Sequence, residues 1–216
     1  MKRRLTRAKA KIRGAGIPFA VPADEALPER LAAVLAVVYL IFNAGYDNRA
    51  DLASEAIRLG RVLTALMPDE PEAHGLLALM LCHDARRASR FAGGEPVLLA
   101  DQDRSLWNAG QIEEAGGALA RAARGPYALQ AVIASLQLES PIDWPRVVAL
   151  YGELARLTRS PVVELNRAVA IAEAGDVAGA LAIVDSLALD GNRYKHSTRA
   201  ELLRRLGRGD EAVAAY

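Results

Sequence analysis

The sequence predicts an all-α fold, a right-handed stack of antiparallel, tetratricopeptide-like helix pairs with one long insert between two helices. Apolar residues make up 52% of the chain but aromatic residues only 5%, a composition typical of closely packed helices. Residues 160–175 begin with a Ser-Pro helix start, carry a one-sided apolar stripe and end on Gly175. The pattern returns 32 residues later, which indicates stacked helix pairs. The matching positions are Ala168 and Ala200, Ile171 and Leu203, Gly175 and Gly207, Ala180 and Ala212, and Val184 and Tyr216.

The first 13 residues differ in charge from the rest of the chain. They carry seven bases and no acid, whereas the remainder holds 20 bases and 26 acids. We expect a basic helix over residues 1–16, with Leu5, Ala8 and Ile12 on one face, and an extended linker with three prolines over residues 17–28. A basic segment before an acidic body indicates a nucleic-acid or membrane contact, or a piece of a larger protein.

The helical domain is expected to cover residues 29–216. Its first helix, residues 29–44, has no charge over residues 31–42 and reads as a buried core helix, because a membrane span needs about 20 apolar residues. Residues 50–67 have the Ala56, Leu63 and Pro68 spacing of a closing repeat helix, and the helix from Pro71 has the pattern of an opening one.

An insert of about 25 residues, roughly 86–109, interrupts this repeat, and inserts of this length are often functional. Helices are then expected from about residue 110, over 125–139, from Asp143 to 157 with Asp143 as N-cap, and over 160–175, 176–188, 194–206 and 208–216. The last helix is incomplete at Tyr216, and an exposed repeat end would favour a homodimer.

The candidate chemical sites are few. Cys82 is the single cysteine, lies in an apolar run and reads as a buried small side chain in a reduced compartment. His74 and His83 face opposite sides of one helix, so with Cys82 and Asp84 they do not predict a metal site. We find no nucleophile–base pair and no phosphate-binding glycine loop, and we therefore predict neither an enzyme nor a cofactor.

The insert is unusually polar, and it has two interpretations. One is a protein-docking patch, in which the candidate residues are Arg86, Arg87, Asp101, Gln102, Asp103, Arg104 and Trp107. The other, which we favour, is structural: Asp101 or Asp103 caps the helix that runs into Trp107, and Arg104 pairs with a neighbouring carboxylate. Trp144 is expected to anchor a helix start in the core.

Six strings together resemble one family. They are R-L-T-R-A-K-A-K-I-R-G-A-G-I-P-F (4–19), V-Y-L-I-F-N-A-G-Y (38–46), E-A-H-G-L-L-A-L-M-L-C-H-D-A-R-R (72–87), L-L-A-D-Q-D-R-S-L-W (98–107), G-P-Y-A-L-Q-A (125–131) and S-P-V-V-E-L-N-R-A-V-A (160–170). The first resembles the end of region four of a group of extracytoplasmic-function RNA polymerase sigma factors. The other five resemble motifs of that group's long, tetratricopeptide-like C-terminal extension.

This resemblance implies a cytoplasmic accessory or regulatory domain of a transcription initiation factor. Its expected partners are core RNA polymerase and the factor's own N-terminal regions, with no membrane contact. Promoter DNA would be a partner only of the full-length protein, where six bases would contact the DNA backbone: Arg3, Arg4, Arg7, Lys9, Lys11 and Arg13. The alternative function is a free-standing tetratricopeptide-like scaffold that binds a peptide or protein unconnected with polymerase.

Overall fold

The computed structural model describes residues 10–11, 14–15, 27–46 and 49–215, and this part of the chain is all-α, as predicted. Ten helices lie in it: α1 Leu27–Ala44, α2 Ala50–Leu66, α3 Pro71–Ala85, α4 Ala109–Leu119, α5 Pro126–Leu136, α6 Trp144–Thr158, α7 Pro161–Glu173, α8 Val177–Ser186, α9 Arg193–Arg205 and α10 Gly209–Ala214. The chain divides between Val37 and Val38 into two compact units, and the larger contains α2 to α10.

Little of the predicted N-terminal segment lies in the described residues. Ala10, Lys11 and Gly14 are helical, and the amide of Ala15 donates to the carbonyl oxygen of Lys11 at 2.9 Å. Lys11 is exposed. The other five bases assigned to DNA contact, and the linker up to residue 26, lie outside the described residues.

The helix starts follow the local chemistry of the sequence. Asp143 caps α6 as predicted, since its Oδ1 accepts a hydrogen bond from the amide of Arg146 at 3.0 Å. Asn108, Asp176 and Asn192 cap α4, α8 and α9 in the same way. Helix α5 stops at Leu136, three residues earlier than predicted. Turns follow the helix, in which the amides of Leu138 and Glu139 donate to the carbonyl oxygens of Ser135 and Leu136, and Pro141 disfavours helical backbone at Ser140.

Helix α1 is apolar on both faces, and only one face is buried. Leu35, Val38 and Phe42 are buried, whereas Val34, Val37 and Leu40 remain 44%, 55% and 66% exposed. The prediction of a buried core helix is therefore confirmed for one face of α1 and wrong for the opposite face. Among the described residues, no helix combines the length and the apolar character that a membrane crossing requires.

In the larger unit, successive helices pack on each other from α2 to α10, and α3 also packs closely on α5. The 32-residue period appears in the core, because Ala168, Ala180, Ala200 and Ala212 are buried in one cluster with Leu203. Gly175 and Gly207 end equivalent helices at φ angles of +109° and +73°. Tetratricopeptide-like stacking of these pairs stays a prediction.

Two contacts fix α5 against α3. Gly75 lets the main chains approach, because a Cβ atom there would lie 2.7 Å from the nitrogen of Ala128. The carboxylate of Glu72 accepts hydrogen bonds from the amides of Tyr127 and Ala128, each at 3.0 Å. Glu72 thus caps the start of a helix more than fifty residues away, where a negative charge is favoured.

The insert is folded. It contains three 3-10 turns, Arg87–Ser89, Leu99–Asp101 and Arg104–Leu106, and a hairpin of two short strands, β1 Phe91–Ala92 and β2 Glu95–Pro96. Its ends meet, since the amide of Asn108 donates to the carbonyl oxygen of Ala85 at 2.9 Å. The insert therefore leaves the body at the end of α3 and returns to the same point to start α4.

Candidate functional site

A cavity of about 610 Å³ lies between the insert and the helices that follow it. The insert supplies Leu98, Leu99 and Ala100, and the end of α3 supplies His83 and Arg86. The other lining residues are Tyr46, Gln137, Ile142, Trp144, Tyr151, Asn166, Val169, Ala170 and Glu173. Most of the wall is apolar, with a few polar groups among the apolar ones, as is typical of small-molecule sites.

A smaller cavity of about 140 Å³ adjoins it. The two cavities share four lining residues, His83, Gln137, Tyr151 and Asn166. Tyr39 and Gln130 complete the polar lining of the smaller one. All five strings from residue 38 onward that carry the family resemblance therefore contribute at least one side chain to this pair of cavities.

Two arginines after α3 are buried. Arg86 and Arg90 are only 5% and 6% exposed. Arg90 donates from Nη2 to the carbonyl oxygen of Tyr46 at 3.2 Å, and its guanidinium carbon lies 3.7 Å from the centre of the Tyr46 ring. This cation–π contact gives the charge of Arg90 a partner. Arg86 makes no such contact in the described part of the chain.

The nearest carboxylate of the same segment is already occupied. Oδ1 of Asp84 accepts from Nε of Arg87 at 2.7 Å, and Oδ2 accepts from Nε2 of Gln111 at 2.8 Å. Arg87 also donates to the carbonyl oxygen of Gly45. Asp84 and Arg87 therefore link α3 to α4 and to the end of α1, and the described residues show no carboxylate paired with Arg86.

Two side chains near Arg86, His83 and Cys82, are uncharged at pH 7, mainly because of burial by the groups around them. Burial, and then the positive charges of Arg86 and Arg90, lower the pKa of His83 to about 3. His83 is thus neutral at pH 7, with Nδ1 3.5 Å from Nη2 of Arg86. Burial raises the pKa of the Cys82 thiol to about 12, although Arg86 opposes this shift. Cys82 is buried, as predicted, and is a thiol rather than a thiolate.

The other candidate residues of the insert hold it in place. Asp103 caps the turn before Trp107, as the structural interpretation predicted, by accepting from the amide and hydroxyl of Ser105. Arg104 was expected to pair with a carboxylate, but it donates to the carbonyl oxygens of Leu138 and Glu139. Its guanidinium lies 4.5 Å from the centre of the Trp107 ring. The free carbonyls after α5 attract this cation.

Two further side chains tie the insert together. Nε1 of Trp107 donates to Oγ of Ser89 at 2.9 Å, and Nε2 of Gln102 donates to the carbonyl oxygen of Val97 at 3.2 Å. Asp101 is exposed. A docking role for these residues stays a prediction, and the contacts show that most of them already have partners inside the chain.

The two histidines considered as metal ligands, His74 and His83, have different surroundings. Nε2 of His74 is 2.9 Å from the carbonyl oxygen of Pro68, so His74 secures the turn before α3. His83 lines the cavities instead. The described residues bring together no group of three or more potential metal ligands of the His, Cys, Asp or Glu type. Trp144 begins α6, half-buried against the core, and also lines the larger cavity.

The sequence reasoning missed the cavity and the inward position of Arg86. One signal existed, because only H-D-A separates the R-R-A-S-R run from a long uncharged stretch of α3, L-L-A-L-M-L-C. A base just beyond a largely buried helix can lie near the core, and we interpreted Arg86 only as a docking candidate.

Residues 30–123 match the model of a family of unknown function (DUF6596), a range that includes most of α1, the whole of α2 to α4 and the insert. The chain is 47% identical, over 234 residues, to an uncharacterized protein of Rhizobium meliloti (strain 1021). That alignment covers 100% of this chain and 55% of the relative, so the chain spans about half the length of the curated relative it matches. No solved structure matches the chain.

Proposed function

We propose that this chain is an accessory domain of an RNA polymerase sigma factor and acts in transcription initiation through protein–protein contacts. Support for the sigma factor comes from the six resembling strings, five of which meet around one pair of cavities in an all-α body. A relative about twice as long as the chain leaves room for promoter-reading regions in an intact protein.

The observation that carries the proposal of a protein contact is the exposed face of α1. Val34, Val37 and Leu40 are large, apolar and exposed on a helix that has no charge over residues 31–42. Exposed apolar faces of this kind are typical of interaction sites. The face follows the segment that resembles the end of region four, so a partner next to that region is favoured.

The partner we propose is the promoter-reading part of the intact sigma factor, with core polymerase as the second contact. The acidic body of this chain, 26 acids against 20 bases after residue 13, complements a basic DNA-reading region. The lysines and arginines before residue 14 would then continue the DNA-facing surface of that region.

The test uses purified core polymerase and a separately expressed promoter-reading half, each immobilised and probed with the chain. We expect binding to at least one of them, and we expect Leu40→Lys to weaken it at least tenfold because a charge would be buried in an apolar contact. Leu66→Lys is the matched control, since Leu66 is 75% exposed at the end of α2.

Two results would count against the proposal. Absence of binding to both partners would favour the free-standing scaffold, and equal effects of the two substitutions would remove the α1 face from the interface. Both variants change residues on the surface, so their folding is checked by circular dichroism and thermal unfolding.

A further inference from the structure

We propose that the 610 Å³ cavity binds a small organic anion, a carboxylate or phosphate group on an apolar body, and that Arg86 binds the anionic group. This inference concerns the chain itself and does not depend on the sigma-factor proposal. It rests on the state of Arg86, on the lining of the cavity and on the charges around it.

The first step is that Arg86 has unused donors. It is 95% buried, and its Nε has no hydrogen-bond partner within the described residues. Its one polar contact there is a long one, from Nη2 to Nδ1 of His83 at 3.5 Å. A guanidinium carries five donors and stays charged in proteins, so most of its hydrogen-bonding capacity is unused.

The second step is that burial of the Arg86 guanidinium is unfavourable unless an anion binds to it. Removing a charge from water without a counter-charge is strongly unfavourable. The neighbouring arginines have partners that Arg86 lacks, since half-buried Arg87 pairs with Asp84 and buried Arg90 stacks on Tyr46. Burial also lowers the pKa of Arg86; Tyr46 opposes this shift, and the positive charge of Arg90 adds to it. Nε and Nη1 of Arg90 also lack hydrogen-bond partners within the described residues, but Arg90 does not line the cavity. Arg86 is therefore the buried arginine that lines the cavity and has neither a ring contact nor a carboxylate partner in the described part of the chain.

The third step is that no group of the wall competes for Arg86. Glu173 is the acidic residue of the lining, and its carboxylate accepts from Nη1 of Arg205 at 2.6 Å. His83 is neutral at pH 7 because of its low pKa of about 3. The lining thus carries one uncompensated positive charge, and it attracts an anion rather than a cation.

The rest of the lining defines the ligand's body. Leu98, Ile142, Trp144 and Val169 are apolar, and Tyr151 and Asn166 supply polar groups. A volume of about 610 Å³ lies within the range of roughly 300–1,000 Å³ typical of small-molecule sites. An aromatic or aliphatic acid or phosphate ester fits both the charge and the apolar wall.

The experiment titrates the full chain with benzoate and with phenyl phosphate, and separately with benzamide as the neutral probe and inorganic phosphate as the anion without a body. Thermal unfolding and calorimetry measure binding, and the Nε–Hε signal of Arg86 in a nitrogen–proton NMR spectrum reports contact with its guanidinium. Saturation at 100 times Kd is expected to raise Tm by about 5–10 °C. The two anions distinguish a carboxylate from a phosphate preference.

Three variants make the result specific. Arg86→Met is expected to lose at least tenfold in affinity for the preferred anion without loss of Tm, because it removes an uncompensated buried charge. Arg61→Gln, which removes an arginine from an exposed ion pair with Glu114, is the control and should bind normally. Val169→Trp fills the cavity and is expected to abolish binding of the aromatic anions while Arg86 remains.

Binding of one anion over benzamide, a shift of the Arg86 signal and loss of binding in both Arg86→Met and Val169→Trp would support the proposal. It is overturned if neither anion binds, if benzamide binds equally well, or if Arg86→Met binds normally. If Arg86→Met fails to fold, the NMR titration of the unaltered chain and the Val169→Trp variant decide the question. Binding only of an acidic peptide from a partner would also contradict it.

Discussion

The closest approach of α3 and α5 predicts that Gly75→Ala destabilises the protein, although alanine is the better helix former. Gly75 lies inside α3, where alanine would gain about 1 kcal/mol of helix propensity. Its added Cβ atom would lie 2.7 Å from the nitrogen of Ala128, 2.9 Å from its Cα and 3.2 Å from its Cβ. Two of these atoms belong to the main chain of α5, so no side-chain rotation relieves the clash.

The change in the free energy of unfolding of Gly75→Ala is the steric cost of the added Cβ atom minus the gain in helix propensity. Overpacking in a close-packed core costs typically about 1–3 kcal/mol, and a clash with main-chain atoms belongs at the upper end. After subtraction of about 1 kcal/mol for helix propensity, we expect a net loss of about 2 kcal/mol in the free energy of unfolding. Movement of α5 would also disturb the hydrogen bonds from Tyr127 and Ala128 to Glu72.

Urea unfolding measured by circular dichroism tests this prediction, with Gly116→Ala as the matched control. Gly116 lies inside α4, is exposed and has no atom within 4 Å of an added Cβ. The control should therefore gain about 0.5–1 kcal/mol from helix propensity alone. Equal stabilisation in both variants would refute the close contact between α3 and α5 and, with it, the reasoning from helix spacing.

Three further predictions concern single side chains. Glu72→Gln should lose about 1–2 kcal/mol of unfolding free energy, because two amides of α5 lose a charged acceptor; urea midpoints measure this, and Glu113→Gln, at an exposed position of α4, should leave the midpoint unchanged. His83 has a native pKa of about 3 against an ordinary 6.5, so the unfolded chain binds more protons between these pH values and stability should rise with pH there, by up to about 1.4 kcal/mol per unit. Denaturation at pH 4 to 6.5 should show this slope reduced in His83→Phe, and an unchanged slope would contradict the neutral, half-buried histidine. Arg104→Ala should speed proteolytic cleavage in the hairpin of the insert, with global unfolding changed by about 1 kcal/mol or less, because the anchor to the carbonyls of Leu138 and Glu139 is local; a cleavage rate equal to that of the unaltered chain would show that other contacts hold the insert.

The helices were predictable because their limits depend on local chemistry. Asp143 caps α6 where the sequence placed it, and Gly175 and Gly207 both adopt the positive φ that ends a helix. The 32-residue period needed no knowledge of tertiary contacts, because the same side-chain sizes recur at the same helical positions. Ala168 and Ala200 accordingly lie in one buried cluster.

The cavity was not predictable, because it depends on contacts between segments far apart in the chain. Tyr46 and Asn166 are separated by more than a hundred residues and line the same space. The partners of Arg104 are main-chain carbonyls, which leave no trace in residue type. Whether Arg86 points outward or inward is likewise decided by the packing of the insert, and the sequence pattern of a basic run is the same in both cases.

The meeting of the two ends of the insert has a consequence for how this protein can change over evolution. Because Asn108 and Ala85 are joined by a main-chain hydrogen bond, a short turn could replace everything between them and leave α3 and α4 paired. Lengthening a loop costs little free energy, since closure entropy grows only with the logarithm of its length. The insert therefore supplies a replaceable part of the cavity wall. Substitutions at Leu98, Leu99 and Ala100 would change the shape of the cavity, while the lining residues on the helices remain as they are.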